Sequence, residues 1–166
     1  MLKYLIRFLP TRTVYAHCDI PCGIYDPYPA QIAAHTLVRM TGLINDTKAS
    51  SDNAPFDERK KIIHQIARIT HVKEEHGALV EHELGTLEND YFKEEHFTAN
   101  PQLQDLIAKT VKLSVKARQE INMEAAQECL ENVLKIAEIF WKTKGIESAR
   151  MKAPYPSGGE IVIPKA

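Results

Sequence analysis

Two of the three cysteines of the chain lie close together in the segment HCDIPCGIYDP, residues 17–27. His17 directly precedes Cys18, and Cys22 stands between a proline and a glycine, a setting typical of tight turns. Imidazole and thiolate groups are the side chains that nickel, copper and zinc ions prefer. The segment is therefore the part of the sequence in which chemistry is most expected.

Side chains alone leave two interpretations of Cys18 and Cys22. Their spacing fits a zinc site, but a structural zinc needs about four protein ligands, and the remaining cysteine, Cys129, lies far along the chain. A disulfide over this short loop is the other interpretation. The odd number of cysteines argues against a disulfide scaffold and favours a reducing compartment. Neither interpretation explains His17.

The segment offers more ligands if it is an amino terminus. A free α-amino group on His17, the deprotonated amide nitrogen of Cys18 and the thiolates of Cys18 and Cys22 form a planar set of two nitrogens and two sulfurs. Planar coordination of this kind suits nickel or copper(II). The His17 imidazole is then available along the axis. Strong thiolate and amidate donors stabilise a higher oxidation state, so the pattern predicts a redox site.

The residues before this segment are consistent with such a terminus. Residues 1–16, MLKYLIRFLPTRTVYA, carry three basic residues and no acidic one. A basic, apolar leader ending in small residues is typical of a cleaved segment, although Arg7 and Pro10 interrupt the apolar stretch that an export signal needs. A frayed terminus or an extra first strand is the alternative. Cleavage after Ala16 makes His17 the first residue and leaves 18 basic and 22 acidic residues, a net charge of −4.

Helical periodicity dominates the rest of the chain. Four amphipathic helices joined by polar segments predict an all-α fold, an antiparallel up-down four-helix bundle with an irregular N-terminal metal-binding hook. The expected helices run from after Pro27 to Ile44, from Phe56 to Leu87 with a bend or break near Gly77 or Gly85, from Pro101 past Val115, and from Asn122 to Lys144. The expected units are a cleavable leader (1–16), the hook (17–26), the bundle (27–145) and a C-terminal extension (146–166). That extension is either flexible or an arm that packs on a neighbouring subunit.

Composition excludes several classes of protein. With 44% hydrophobic and 26% charged residues and a net charge of −1, the chain resembles a soluble globular protein without a nucleic-acid or membrane partner. No apolar run approaches the roughly 18 residues that span a bilayer. No histidine lies three positions after a glutamate, the spacing of ferritin-like di-iron sites, so that class of enzyme is excluded. The sequence also lacks a phosphate-binding loop motif.

The segment HCDIPCGIYDP closely resembles the nickel-hook motif of the nickel superoxide dismutases, H-C-D-x-P-C-G-x-Y-D-P. The similarity continues in Asp90-Tyr91-Phe92-Lys93 with His96-Phe97, and in the sequence IFWKTK at residues 139–144. It covers the chain from about Ala16 to Lys144. The hook motif is the most specific of these matches.

The resemblance implies a homohexamer of four-helix bundles, made as a precursor and cleaved directly before His17. It implies one nickel ion per subunit, held by the amine and imidazole of His17, the amidate and thiolate of Cys18 and the thiolate of Cys22. Asp19 is implied to order the hook, and Tyr25 and Tyr91 to screen the metal and position the small anion. The implied reaction converts superoxide into dioxygen and hydrogen peroxide as nickel cycles between +2 and +3.

Further expectations concern partners and location. The partners are the superoxide anion, a processing protease and a nickel chaperone, with neither nucleic acid nor membrane. We expect a cytoplasmic protein, with export through the leader as the alternative. Superoxide is an anion, so local positive charge should speed its capture; the net charge is negative, and Lys93 is the candidate lysine.

Several residues depart from the family pattern. Ala33 and His76 stand where some members have a glutamate and an arginine that connect to the axial imidazole, and Glu94 and Glu95 replace a proline pair. The histidines of the second helix do not share one face and are expected to be solvated or packing residues: His64, His71, His76 and His82. Cys129 is expected to be a half-buried, inert thiol.

The same residues also allow other functions. Without the motif, Tyr25 and Tyr91 are ordinary packing residues with their hydroxyls at the rim of the core. A non-catalytic nickel or copper carrier, or a zinc-stapled helical adaptor, uses the same cysteines. Such proteins tolerate an intact leader, whereas the enzyme needs the free amine of His17.

Overall fold

The structure, a computed structural model, describes residues 23–165. The leader and the hook residues His17, Cys18, Asp19 and Cys22 lie outside this range. The elements in chain order are α1 (Tyr28–Asp46), α2 (Phe56–Thr86), a π-helical turn (Leu87–Tyr91), α3 (Glu94–Ala99), α4 (Leu103–Gln119), α5 (Met123–Thr143), β1 (Ser148–Lys152) and β2 (Glu160–Pro164).

The four long helices form the predicted bundle. Helix α1 packs against α2 and α5, and α4 packs against α5 and α2. Their facing apolar side chains, with Leu37, Val80, Ile107 and Phe140 at the centre, are fully buried. Burying such side chains stabilises the fold by roughly 1.5–3 kcal/mol each. Within the described residues, no helix is long and apolar enough to span a bilayer.

Polar residues and glycine set the helix ends as the sequence indicates. The Asp26 carboxylate accepts a hydrogen bond from the Tyr28 amide at 2.7 Å, just before α1. The Asn122 side chain accepts one from the Ala125 amide at 2.9 Å, which confirms the predicted start of α5. Helix α5 stops before Gly145, whose positive φ of 71° favours glycine.

The region around residues 77–100 differs from the prediction. Helix α2 passes Gly77 and Gly85 without a break and continues into the π-helical turn, and the segment between this turn and α4 contains the short helix α3. The Lys93 amide, which has no partner within the helix, donates to Nδ1 of His96 at 3.1 Å. This local cap satisfies one of the free amides at the start of α3, an interaction that hydrophobic periodicity does not reveal.

The apolar residues of α2 are buried only in part. Ile69, Val80 and Leu84 are in the core, whereas Leu79 is 37% exposed and Ile62 and Ile66 are half-buried. Hydrogen bonds from Lys73 to the Ala117 carbonyl and from Ser114 to the Gly77 carbonyl join the C-terminal half of α2 to α4.

A buried lysine closes the contact between α2 and α4. Lys73 is 2% exposed, and its Nζ donates to the carbonyls of Ala117, Arg118 and Glu120 at 2.6–2.8 Å. These carbonyls lie at the end of α4, where no amide of the helix is available to them. Burial lowers the pKa of Lys73, although the carboxylates of Glu74 and Glu120 act in the opposite direction.

Residues 146–165 form a hairpin that packs on the bundle of their own chain. The sequence predicted either a flexible extension or an arm that packs on a neighbouring subunit. In the structure the segment is folded against its own bundle, and contact with a neighbouring subunit stays a prediction. Strands β1 and β2 pair antiparallel, with Arg150 opposite Val162. The side-chain amide of Gln31 on α1 donates to the Val162 carbonyl at 3.1 Å and accepts from its amide at 2.7 Å.

Two further contacts hold the hairpin. The buried His35 on α1 contacts Ser157 Oγ at 2.9 Å and the Glu160 carbonyl at 3.0 Å, and burial lowers its pKa. Arg150 donates to the carboxylates of Glu131 and Glu138 on α5 at 2.7–3.2 Å. The fixed fork of donors on arginine suits such paired carboxylates.

Acid should loosen the hairpin through Glu131. The hydrogen bond from Arg150 holds the pKa of Glu131 below its ordinary value of 4.5. A carboxylate with a lowered pKa in the folded state contributes stability that is fully present above the ordinary pKa and is lost as the pH falls through the folded-state pKa. We therefore expect the protection of the Val162 amide from hydrogen exchange to fall as the pH drops below 4.5.

The variant Arg150→Met should lower this protection at neutral pH and remove most of its dependence on acid. Lys152→Met, on an exposed residue of the same strand, is the matched control and should change neither. An unchanged acid dependence in Arg150→Met would show that this ion pair does not hold the hairpin.

Candidate active-site cleft

A cleft of about 430 Å³ opens where the first described residues meet the turn that follows α2. Its walls come from the chain before α1, from the end of the π-helical turn and from the start of α3. The lining residues are Gly23, Tyr25, Asp90, Tyr91, Lys93, Glu95 and His96. Segments far apart in the sequence thus converge directly beside the residue that follows Cys22.

Tyr25 and Tyr91 meet in this cleft. Their ring centroids are 5.6 Å apart with an angle of 53° between the planes, and both residues are half-buried. The sequence singled out both residues, and the structure brings them together although 66 positions separate them. Paired aromatic rings at this distance attract each other and shape the wall of the cleft.

Tyr91 lies at the centre of an aromatic cluster, defined here as Tyr25, Tyr91, Phe92, His96 and Phe140. The Tyr91 ring centroid is 4.5 Å from that of Phe140 and 5.2 Å from that of Phe92. The His96 ring stacks on Tyr91 at 5.6 Å with an angle of 20°. Contacts from both α3 and α5 therefore fix the Tyr91 ring.

Two residues at the end of α5 complete the surroundings of Tyr91. The Tyr91 hydroxyl lies 2.7 Å from Oγ1 of Thr143, and Nζ of Lys144 lies 5.5 Å from the centre of the Tyr91 ring. A lysine at this distance over an aromatic face is attracted to the ring. Sequence reasoning did not assign a site role to Thr143, Lys144 or His96, although all three lie in the segments that resemble the family.

The hydrogen bond at His96 indicates where its proton lies. Because the Lys93 amide donates to Nδ1 of His96 at 3.1 Å, Nδ1 is an acceptor and the ring proton is on Nε2. Nε2 lies 3.8 Å from a carboxylate oxygen of Glu95. His96 therefore contributes a neutral, stacked ring to the cleft in this arrangement.

Opposite charges line the cleft. Lys93 is exposed and lies in the wall, as its suggested steering role requires, but Asp90 and Glu95 line the same wall. Glu94 is exposed beside them. Glu95, one of the two acids at the position of the family's proline pair, thus brings negative charge to the wall itself, and Glu94 lies next to it in the sequence.

Ala33 and His76 stand where some family members have residues that connect to the axial imidazole, and neither lies in the wall of the cleft. Ala33 is fully buried in the core, and Nδ1 of the half-buried His76 lies 2.9 Å from the Val72 carbonyl. Within residues 23–165, no three or more histidine, cysteine or acidic side chains form a group that could hold a metal ion.

Cys129 is more buried than expected. The side chain is 0% exposed on α5, and burial, assisted by the Glu81 carboxylate, raises the pKa of its thiol to about 12. A thiol with this pKa is almost entirely protonated at neutral pH, and metal ions bind the thiolate. Cys129 is therefore a poor candidate for a sulfur donor.

Comparison with known proteins identifies the family. The profile of the family described as nickel-containing superoxide dismutase matches residues 12–144. The superoxide dismutase [Ni] of Streptomyces seoulensis is 35% identical over 137 residues, covering 82% of this chain and 95% of that protein. The Streptomyces coelicolor enzyme of the same name is 34% identical with the same coverage. A solved native nickel superoxide dismutase aligns with a TM-score of 0.65 and 31% identity, over 77% of this chain and 99% of the other.

The chain belongs to the nickel-containing superoxide dismutases. It is an oxidoreductase, and nickel is its cofactor. This assignment favours the enzyme over the non-catalytic carrier or adaptor. The hairpin formed by β1 and β2 lies beyond the residues that match the family profile.

The state of Cys129 can be tested with a thiol reagent. Because its thiol is buried and protonated, iodoacetamide at pH values near 8 should leave Cys129 unmodified in the folded, metal-free protein and modify it after unfolding in urea. Peptide mass spectrometry measures both states. Cys129→Ala should keep the full nickel content. Rapid native alkylation of Cys129, or loss of nickel in Cys129→Ala, would contradict the exclusion of Cys129 as a sulfur donor.

Proposed function

We propose that this superoxide dismutase becomes active when cleavage between Ala16 and His17 creates an N-terminal nickel hook. The amine and imidazole of His17, the amide nitrogen and thiolate of Cys18 and the thiolate of Cys22 would hold one nickel ion per subunit. The donor set fits nickel, because planar nitrogen and thiolate ligands suit that ion. The observation that carries the proposal is the cleft where Tyr25 meets Tyr91, because its wall begins at Gly23, the residue bonded to Cys22.

The chemistry divides between the metal and the protein. Nickel, when bound, supplies one-electron chemistry by cycling between the +2 and +3 states. The overall reaction takes two superoxide ions and two protons to one dioxygen and one hydrogen peroxide, so one superoxide loses the electron that the other gains. The protein must admit a small anion, exclude larger ligands and hold the hook in one geometry.

The aromatic cluster would serve the first two of these requirements. Tyr25 and Tyr91 would screen the metal side of the cleft and position the small anion, since their rings form one wall in contact with each other. The Asp19 carboxylate would order the hook by accepting hydrogen bonds from backbone amides of the hook, as short acidic side chains do in tight turns. Its place in the motif supports this role.

Assembly, maturation and location complete the proposal. The chain would form a homohexamer, a protease would remove residues 1–16, and a nickel chaperone would supply the metal in the cytoplasm. The family assignment and the resemblance of the hook motif support the hexamer and the cleavage. The interrupted apolar stretch of the leader supports a cytoplasmic location over export.

A single extra residue tests the need for a free amine on His17. Two proteins are compared, one beginning at His17 and the other at Ala16, both loaded with nickel. Because the amide nitrogen that replaces the amine is a different ligand, the longer protein should lose at least about 100-fold in dismutase rate. Pulse radiolysis measures the rate, and thermal unfolding confirms that both bundles fold equally well.

Equal activity of the two proteins would refute the requirement for cleavage. A protein that begins at Ala16 and carries His17→Ala serves as the baseline, because it lacks both the amine and the axial imidazole. Activity well above this baseline in the Ala16 protein would indicate that side chains and internal amides suffice.

Charge at the rim of the cleft should set the rate of superoxide capture. Unit charges about 8 Å apart in water interact by about 0.5 kcal/mol, a factor of about two in rate. We therefore expect Lys93→Gln to halve kcat/KM at low salt and Glu95→Gln to double it, with both effects fading as ionic strength rises. Glu75→Gln, an exposed acid on α2 away from the cleft, is the matched control. Salt-independent changes, or changes of the opposite sign, would rule out steering by these residues.

A further inference from the structure

The hydrogen bonds at the end of α5 fix the direction of the contact between Tyr91 and Thr143. Oγ1 of Thr143 donates to the Phe140 carbonyl at 2.7 Å. A hydroxyl group carries one proton and can accept further hydrogen bonds. In the 2.7 Å contact between Tyr91 and Thr143, the phenol is therefore the donor.

The Tyr91 ring does not depend on this hydrogen bond for its place. Stacking on His96 and ring contacts with Phe92 and Phe140 also hold the ring. Tyr91 also lines the cleft, whereas Thr143 does not. Loss of the Thr143 hydroxyl would therefore free the phenol proton while leaving the ring in the wall.

We propose that Thr143 is a positioning residue that turns the phenol proton of Tyr91 away from the cleft. Tyr91 then meets small ligands as a hydrogen-bond acceptor only. A bare anion gains no hydrogen bond from such an oxygen, whereas water or the product hydrogen peroxide can donate to it. Thr143 thereby weakens anion binding at Tyr91 and favours protonated ligands, and this consequence rests on the proposed role of Tyr91 at the metal site.

The direction of the hydrogen bond is tested without metal by UV resonance Raman spectroscopy. The intensity ratio of the tyrosine doublet differs between phenols that donate and phenols that accept hydrogen bonds. Thr143→Val keeps the shape of the side chain and should shift this ratio away from the donor value, whereas Thr143→Ser should keep it. The same Thr143→Val change in a Tyr91→Phe protein should have no effect on the ratio.

A matched control separates this effect from general changes at a helix end. Thr47 lies directly after α1 and, like Thr143, is half-buried. Its hydroxyl donates to the Leu43 carbonyl at 2.7 Å. Thr47→Val should leave the tyrosine doublet unchanged. A doublet that is unchanged in Thr143→Val, or shifted equally in Thr143→Ser, would overturn the proposal.

The consequence for ligands is tested with azide on the nickel-loaded protein. A hydrogen bond to a charged group that becomes available should tighten azide binding about tenfold in Thr143→Val. Thr143→Ser and Thr47→Val should keep the affinity of the unmodified protein, measured by spectroscopic titration. Unchanged or weaker azide binding in Thr143→Val would overturn the proposed effect on anions.

These experiments give different results if Thr143 does not position the phenol proton and if Tyr91 does not lie at the metal site. If Tyr91→Phe altered neither azide affinity nor dismutation, the role of Tyr91 at the metal site would be wrong. The Raman comparison would still decide the direction of the hydrogen bond, because it requires neither nickel nor substrate.

Discussion

The packing around Tyr91 is the constraint on which the cleft depends. Its ring contacts Tyr25 from the chain before α1, His96 from α3 and Phe140 from α5, and its hydroxyl reaches Thr143. Each contact brings a different part of the chain to the same place. Because close-packed rings leave little room for adjustment, the first described residues enter the bundle in one direction. The chain that follows Cys22 is thus attached to a rigid wall.

The C-terminal hairpin provides a second constraint on the same end of α1. It contacts α1 through Gln31 and His35, within the first turns after the hook motif, and α5 through Glu131 and Glu138. These contacts are polar and well paired, so they fix orientation as well as adding stability. The family profile ends before the hairpin, and the hairpin therefore adds support at the start of α1 that the matched region does not contain.

The sequence predicted the long helices well, because each must present an apolar stripe to the core. The stripe through Leu130, Val133 and Phe140, for example, is buried in α5 as expected. Helix caps and tertiary contacts could not be predicted from this periodicity. Nothing in the periodicity indicates that Lys73 is buried among carbonyls, or that the tail folds back onto Gln31. In the site, motif matching identified Tyr25 and Tyr91, but Thr143 and His96 gained significance only from distances across the fold.

The central claim is that the metal site is built around an amino terminus at His17. The most direct measurement is the N-terminal sequence and metal content of the active protein purified from its natural source. We expect a first residue of His17 and about one nickel ion per chain. An active protein that retains residues 1–16, or one that carries zinc in place of nickel, would contradict it.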